Sequence, residues 1–135
     1  MLSKEKWRTT EYFRRRIPKW VKQQIIENQG SKCWFTGNDL KIANVHHVYN
    51  FKDILEDTHE KLQIDFKEKL ENYSSEEIDI IVKCLIEFHV ENKHLLIAIE
   101  KELHDEFHKA YGYYDNNIQQ LNEFKEFINL KEVVR

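Results

Sequence analysis

The chain has 135 residues, a third of them charged, with only three glycines and one proline and a formal net charge of −3. That length supports a single hydrophobic core, and so few turn-forming residues argue against a sandwich or barrel of many short strands, so a mostly helical domain is expected. The longest apolar run, Leu95 to Ile99, falls far short of the ~20 residues that cross a bilayer, and the start Met1-Leu2-Ser3-Lys4-Glu5 has no apolar signal core, so a cytoplasmic protein without membrane partner is expected. Cys33 and Cys84 are too few for a disulfide scaffold and do not form the close pairs of a thiolate zinc site.

Residues 1–32 hold nine Lys and Arg against three Glu, so a +6 head precedes a remainder of −9. The head interleaves Arg8, Arg14, Arg15, Arg16, Lys19 and Lys22 with Trp7, Tyr12, Phe13 and Trp20, a mixture suited to gripping phosphates while rings pack or stack. This basic, aromatic, helical segment is a candidate nucleic-acid arm, and taken by itself it reads equally as a solvated amphipathic helix whose Trp and Phe face the core. Pro18 suits a first helical turn and Gly30 a left-handed cap, which predicts a helix over about 18 to 29. Residues 32–35 and 41–48 are β-compatible runs separated by Thr36-Gly37-Asn38-Asp39, and predict a hairpin over 33–48.

Residues 49–93 read as a helical insertion. Phe51 to Leu70 has helical spacing, and Ser74 with Glu77 forms a capping box ahead of a helix over about 75 to 90. Leu95 to Ile99 is too short to classify, whereas Glu100 to Tyr111, stopped by Gly112, is helical; together 94–112 make the segment that carries the site helix. A last helix over 115–130 is led by Asp115 and Asn116 as caps.

Four of seven histidines form two patterned pairs, His46-His47 and His104-x3-His108. Residues i and i+4 of a helix lie on one face with Cβ atoms about 5–6 Å apart, so His104 and His108 can converge on one ion. Neighbours in a strand point to opposite faces, so one of His46 and His47 can join that ion while the other faces a substrate. Such a division suits phosphodiester hydrolysis, which needs a divalent cation and a base; imidazole, with an ordinary pKa of ~6.5, can serve as the base.

The double histidine, the later His-x3-His with Tyr111 and Gly112, and the Cys33-Trp34-Phe35-Thr36-Gly37 start together resemble the HNH endonucleases with a ββα-metal (His-Me finger) site, of the kind found in phage and mobile introns. The resemblance runs from about Gly30 to Phe127. It implies an α+β fold, mostly helical, in which a β-hairpin and a helix carry the site among additional helices. It implies His46, His104 and His108 as ligands of one divalent ion, Mg2+ foremost with Mn2+, Ni2+ or Zn2+ as alternatives, and His47 as general base. DNA would be cut to 5′-phosphate and 3′-hydroxyl ends by a monomer or homodimer in a bacterial host cell. A second reading keeps the fold as a DNA-binding or phage accessory protein without activity. Two departures stand out: Leu95 occupies the place of the family's central Asn, with Asn92 and His94 close by, and the paired cysteines of a structural Cys-zinc are missing, so none is expected. His89, Asn92 and His94 are candidate supports for the ligand rings, His59 reads as structural, and Tyr111, Tyr113 and Tyr114 read as a cover over the site helix.

Overall fold

The computed structural model describes residues 3–113 and 116–134, the side chains of 132–134 excepted. Its elements run α1 (Lys4–Arg15), α2 (Lys19–Asn28), β1 (Ala43–His47), α3 (Phe51–Leu62), α4 (Ser75–Glu91), β2 (Leu96–Glu100), α5 (Lys101–Tyr111) and α6 (Ile118–Val134). The fold is α+β and mostly helical, with one two-stranded antiparallel sheet. The chain divides into two compact units, Met1–Val21 with Phe51–Asn92, and Lys22–Asn50 with Lys93–Arg135. No helix among the described residues is long and apolar enough to cross a membrane.

The first unit is helical, and its helices begin where side chains satisfy otherwise orphaned N–H groups. Ser3 Oγ accepts from Lys6 N–H at the head of α1. At α4 the expected capping box is complete: Ser74 Oγ accepts from Glu77 N–H at 3.1 Å and the Glu77 carboxylate accepts from Ser74 N–H at 2.9 Å. Those bonds to the charged form, with Lys67 beside it, hold the Glu77 carboxyl below its ordinary range. The helix expected to continue from Phe51 to Leu70 stops at Leu62. Gln63 takes a left-handed φ of 57°, and Ile64 N–H returns to His59 C=O at 3.0 Å, so a terminating turn overrides the helical spacing beyond it.

His59 and Tyr73 lie buried in this unit, edge-on to Phe13. Their polar atoms form a directed chain: Lys67 N–H donates to Tyr73 Oη at 2.9 Å, Tyr73 O–H donates to His59 Nε2 at 2.8 Å, and His59 Nδ1–H donates to Leu55 C=O at 2.7 Å. Every atom of the neutral imidazole is satisfied, and a proton on Nε2 would displace the tyrosine. His59 is thus structural, as the sequence suggests.

In the second unit the predicted hairpin over 33–48 does not form, and within the segment 94–112 expected to carry the site helix, Leu96–Glu100 is a strand and the helix begins at Lys101. β1 pairs with β2, in the register Asn44↔Ile99, His46↔Ile97, His47↔Leu96. Residues 33–38 instead close a tight loop: Cys33 N–H donates to Asn38 C=O and Gly37 N–H to Cys33 C=O, both at 2.8 Å, with Gly37 at φ +75°. These bonds take up the groups a hairpin ladder would use, leaving a single bridge between Lys32 and Asp39.

The outer edge of β2 is also closed. Ala98 N–H donates to Gln29 Oε1 at 3.0 Å, and Ala98 C=O accepts from both Gln29 Nε2 at 2.7 Å and Trp34 N–H at 3.0 Å. Gln29 thereby stands in for a third strand on an edge that would otherwise be open to pairing. Under the sheet, Cys33, Phe35, Ile97, Ile99, Phe107, Leu121, Phe124 and Ile128 form one core cluster. Phe35, Phe107 and Phe124 meet with ring centroids 5.0–6.1 Å apart, contacts worth about 0.5–1.5 kcal/mol each beyond burial, and so pin α5 against β2 and α6. The cap of α6 is Asn117 rather than Asn116: Asn117 Oδ1 accepts from Gln120 N–H at 2.9 Å, while Gln120 Oε1 accepts from Asn117 N–H. Asp115 lies outside the described residues.

Two stability predictions follow from these bonds. Gln29→Ala strips two partners from the fully buried Ala98 backbone and lowers unfolding free energy by about 1–3 kcal/mol, read as a reduced midpoint in urea; an unchanged midpoint contradicts the edge-closing role. Burial, the largest cause, lowers the pKa of His59 and of His89, so the unfolded chain takes up protons that the folded chain refuses. Stability is complete above the unfolded value of ~6.5 and falls as pH drops below it, by at most about 1.4 kcal/mol per pH unit for each group. Urea titrations at pH 7.5 and 5.0 check this, with equal stability as the contrary result.

Candidate metal centre

The site is built where β1 meets α5. Asn44 and His46 are two apart in β1 and therefore share a face, the face that meets α5: Asn44 Nδ2 lies 3.1 Å from His104 Nδ1, and the His46 ring lies 5.6 Å from that of Phe107. On α5, His104, Phe107, His108 and Tyr111 form a stripe at helical spacing. Phe107 is fully buried and anchors the stripe, Tyr111 packs on it, and the two imidazoles remain half-buried at the edge of the core.

Three imidazoles converge. His46 Nδ1 lies 3.2 Å from His104 Nε2, and His108 Nε2 lies 2.8 Å from the same atom. The ligating nitrogens of His46, His104 and His108 all lie within 4.8 Å of one another, the one such group among the described residues. His46 is 8% exposed. Burial first, and then electrostatic interaction with the nearby His108 ring, lower the pKa of His104 to about 4, so its ring is neutral near pH 7. His108 Nδ1–H donates to Gly112 C=O at 2.8 Å, which leaves Nε2 of neutral His108 as the acceptor nitrogen. Tyr113, 71% exposed, stacks on His108 with centroids 4.7 Å apart.

The donor set fits a divalent ion of borderline softness. Three imidazoles on two rigid elements, one ring already oriented by a backbone carbonyl, match the ligands that Zn2+ and Ni2+ take, whereas Mg2+ favours oxygen.

The other expected site residues are distributed as follows. His47, paired with Leu96, lies one residue along β1 and so on the opposite face of the strand, outside the three-histidine group. His94 is exposed in the 3-10 turn before β2. His89 and Asn92 belong to the first unit, where both are used by α4 itself: His89 Nδ1–H donates to Leu85 C=O at 2.7 Å and Asn92 Nδ2 donates to Phe88 C=O at 2.9 Å.

Arg8, Arg14, Arg15, Arg16, Lys19 and Lys22 are all exposed. Arg14 pairs with Glu11 at 3.3 Å and lies over the Phe51 ring, and Arg16 donates to Tyr12 Oη at 2.7 Å. Phe13, Ile17 and Val21 are buried while Trp7 and Trp20 are 42% and 50% exposed, so the aliphatic and phenyl groups face inward and the indoles do not. Tyr114 lies outside the described residues.

Asn44 is the site residue that the sequence does not single out. Its one signal is the spacing of two from His46, which means little until the facing helix is known. Cys33 is buried and its Sγ accepts Glu100 N–H at 3.4 Å. The Glu100 carboxylate accepts the N–H groups of Lys41 and Ile42 at 3.0 and 3.1 Å, which holds its pKa below the ordinary range and fixes the entry to β1. No protein family, curated protein or solved structure matches this chain.

His104→Ala removes the nitrogen central to the cluster. Calorimetric titration with Zn2+ is expected to show one ion per wild-type chain and a loss in affinity beyond about 100-fold in the variant, more than the 10–100-fold typical of a supporting residue. Equal affinities contradict the centre.

Proposed function

We propose that this chain is a metal-dependent endonuclease of the HNH kind, hydrolysing DNA phosphodiester bonds. The observation that carries the reading is the convergence of His46 with His104 and His108, the strand and helix positions that the sequence resemblance names as ligands. Further support comes from the backbone at Leu95, the place of the family's central Asn: its carbonyl accepts Val48 N–H at 2.8 Å, bracing the chain just past the double histidine.

His46, His104 and His108 would hold the ion, which when bound would supply positive charge to offset the charge of the phosphate and of the departing 3′ oxygen. In this reading His47, directly after a ligand in sequence yet on the other strand face, acts on water. Its imidazole lone pair takes a proton from the water oxygen as that oxygen attacks phosphorus. The bond from phosphorus to the 3′ oxygen breaks, the departing oxygen is protonated from solvent, and the products carry 5′-phosphate and 3′-hydroxyl ends. Arg8, Arg15, Lys19 and Lys22, which carry no ion pair among the described residues, and the neighbouring Arg14 and Arg16 hold the phosphate backbone, so affinity falls steeply with salt. With imidazole as the whole protein donor set, Zn2+, Ni2+ and then Mn2+ are the ions to try before Mg2+.

His47→Ala is expected to slow plasmid cleavage by about 10²- to 10⁴-fold, the range for a positioned acid–base group, while Zn2+ titration stays as in the wild type. Plasmid assays across these four metals, with end mapping, check this. Undiminished cleavage by the variant, or wild-type protein that cuts DNA with none of the metals, contradicts the proposal.

A further inference from the structure

For neutral rings the contacts around His104 imply one direction of hydrogen bonding. The Gly112 carbonyl can only accept, so His108 Nδ1 carries its proton and Nε2 of the neutral ring carries a lone pair. That lone pair lies 2.8 Å from His104 Nε2, so the proton between them belongs to His104 Nε2, which also faces His46 Nδ1 at 3.2 Å. A neutral His104 protonated at Nε2 has its lone pair at Nδ1, where the Asn44 amide nitrogen sits at 3.1 Å as donor. The chain runs Asn44 to His104 to His108 to Gly112, with a donor and an acceptor at each step.

This arrangement has the wrong tautomer for a ligand. Coordination through His104 Nε2 needs the lone pair there, so the proton must sit on Nδ1, facing Asn44. An amide presents a donor on one side and an acceptor on the other, and a half-turn about its last bond exchanges them. Asp could only accept and Leu could do neither.

We propose that Asn44 is the positioning residue that selects which nitrogen of His104 faces the centre: its amide donates to Nδ1 in the ion-free protein and turns to accept from Nδ1–H when a divalent cation binds. The proposal rests on the metal-centre reading above and adds the step by which the site changes from a closed hydrogen-bonded chain to a ligand set. Asn44 thereby tunes affinity without touching the ion, and the half-turn is part of the work of binding.

The test combines nitrogen-15 NMR of the histidine rings with calorimetry, using Zn2+ alone as probe, on full-length wild type, Asn44→Asp and Asn44→Leu. The ion-free wild type is expected to show His104 protonated at Nε2, and the Zn2+ form protonated at Nδ1. Asn44→Asp should hold the Nδ1–H form before any ion is added and bind Zn2+ at least as tightly as the wild type. Asn44→Leu should bind about 10- to 100-fold more weakly. A purely structural role for Asn44 would leave the ring tautomers unmoved. Should Asn44→Leu fail to fold, the wild-type and Asn44→Asp tautomers decide the matter by themselves. Zn2+ binding that depends on His104 but is unchanged in Asn44→Leu, or a His104 tautomer that stays the same on loading, overturns the Asn44 role alone. Wild-type protein that takes up no Zn2+ overturns the centre and this role with it.

Discussion

The antiparallel pairing of β1 with β2 is the constraint on which the candidate site depends. β2 runs into α5 without a linker, since Glu100 ends the strand and Lys101 begins the helix. The direction of α5 is therefore set by the strand, and with it the face on which His104 and His108 emerge. The register then decides which β1 side chains meet that face. With His46 opposite Ile97 and Asn44 opposite Ile99, the polar pair meets α5, Asn44 at His104 and His46 beside the Phe107 ring. A slip of one residue would exchange Asn44 and His46 for Val45 and His47. Three further features hold the register in place: the Glu100 carboxylate on the N–H groups of Lys41 and Ile42, the Val48 to Leu95 bond at the other end, and Gln29 along the outer edge of β2.

The histidines divide according to where their second nitrogen is directed. His59 and His89 each donate Nδ1–H to the carbonyl four residues earlier in their own helix, and in His59 the remaining nitrogen is taken by Tyr73. His108 donates forward to Gly112, at the C-terminal end of α5, and its Nε2 is left facing His104 and His46. Identical side chains on helices thus become a buried structural bond in one case and a donor atom in the other. The difference lies in which carbonyl Nδ1 reaches, and the free carbonyl at a helix end is what makes the outward-facing choice available.

Local chemistry was the legible part of the sequence. Ser74 with Glu77, Gly30 after α2, and the four-residue interval between His104 and His108 each report on a single turn of chain, and each appears in the structure as the pattern implies. The strand pairing was not legible. Residues 32–35 and 41–48 have hairpin composition, yet the partner of β1 is Leu96–Glu100, far along the chain and mostly within an apolar run that periodicity cannot classify. What decides between them is non-local: Cys33 and Gly37 close their own loop, and Ile97 and Ile99 bury against Phe107 and α6. Asn44 was hidden for the same reason, because an Asn in a strand acquires a role only when the helix across from it is known. The end of α3 was hidden differently, since a non-glycine residue, Gln63, adopts the left-handed turn.

The central claim is that one divalent ion is held by His46, His104 and His108, and X-ray absorption spectroscopy of the Zn2+-loaded protein tests it most directly. The account predicts a four-coordinate shell with three imidazole nitrogens at about 2.0–2.1 Å and an oxygen completing it. A sulfur shell at about 2.3 Å, the Zn–thiolate distance, or a shell of oxygens without imidazole scattering would contradict it.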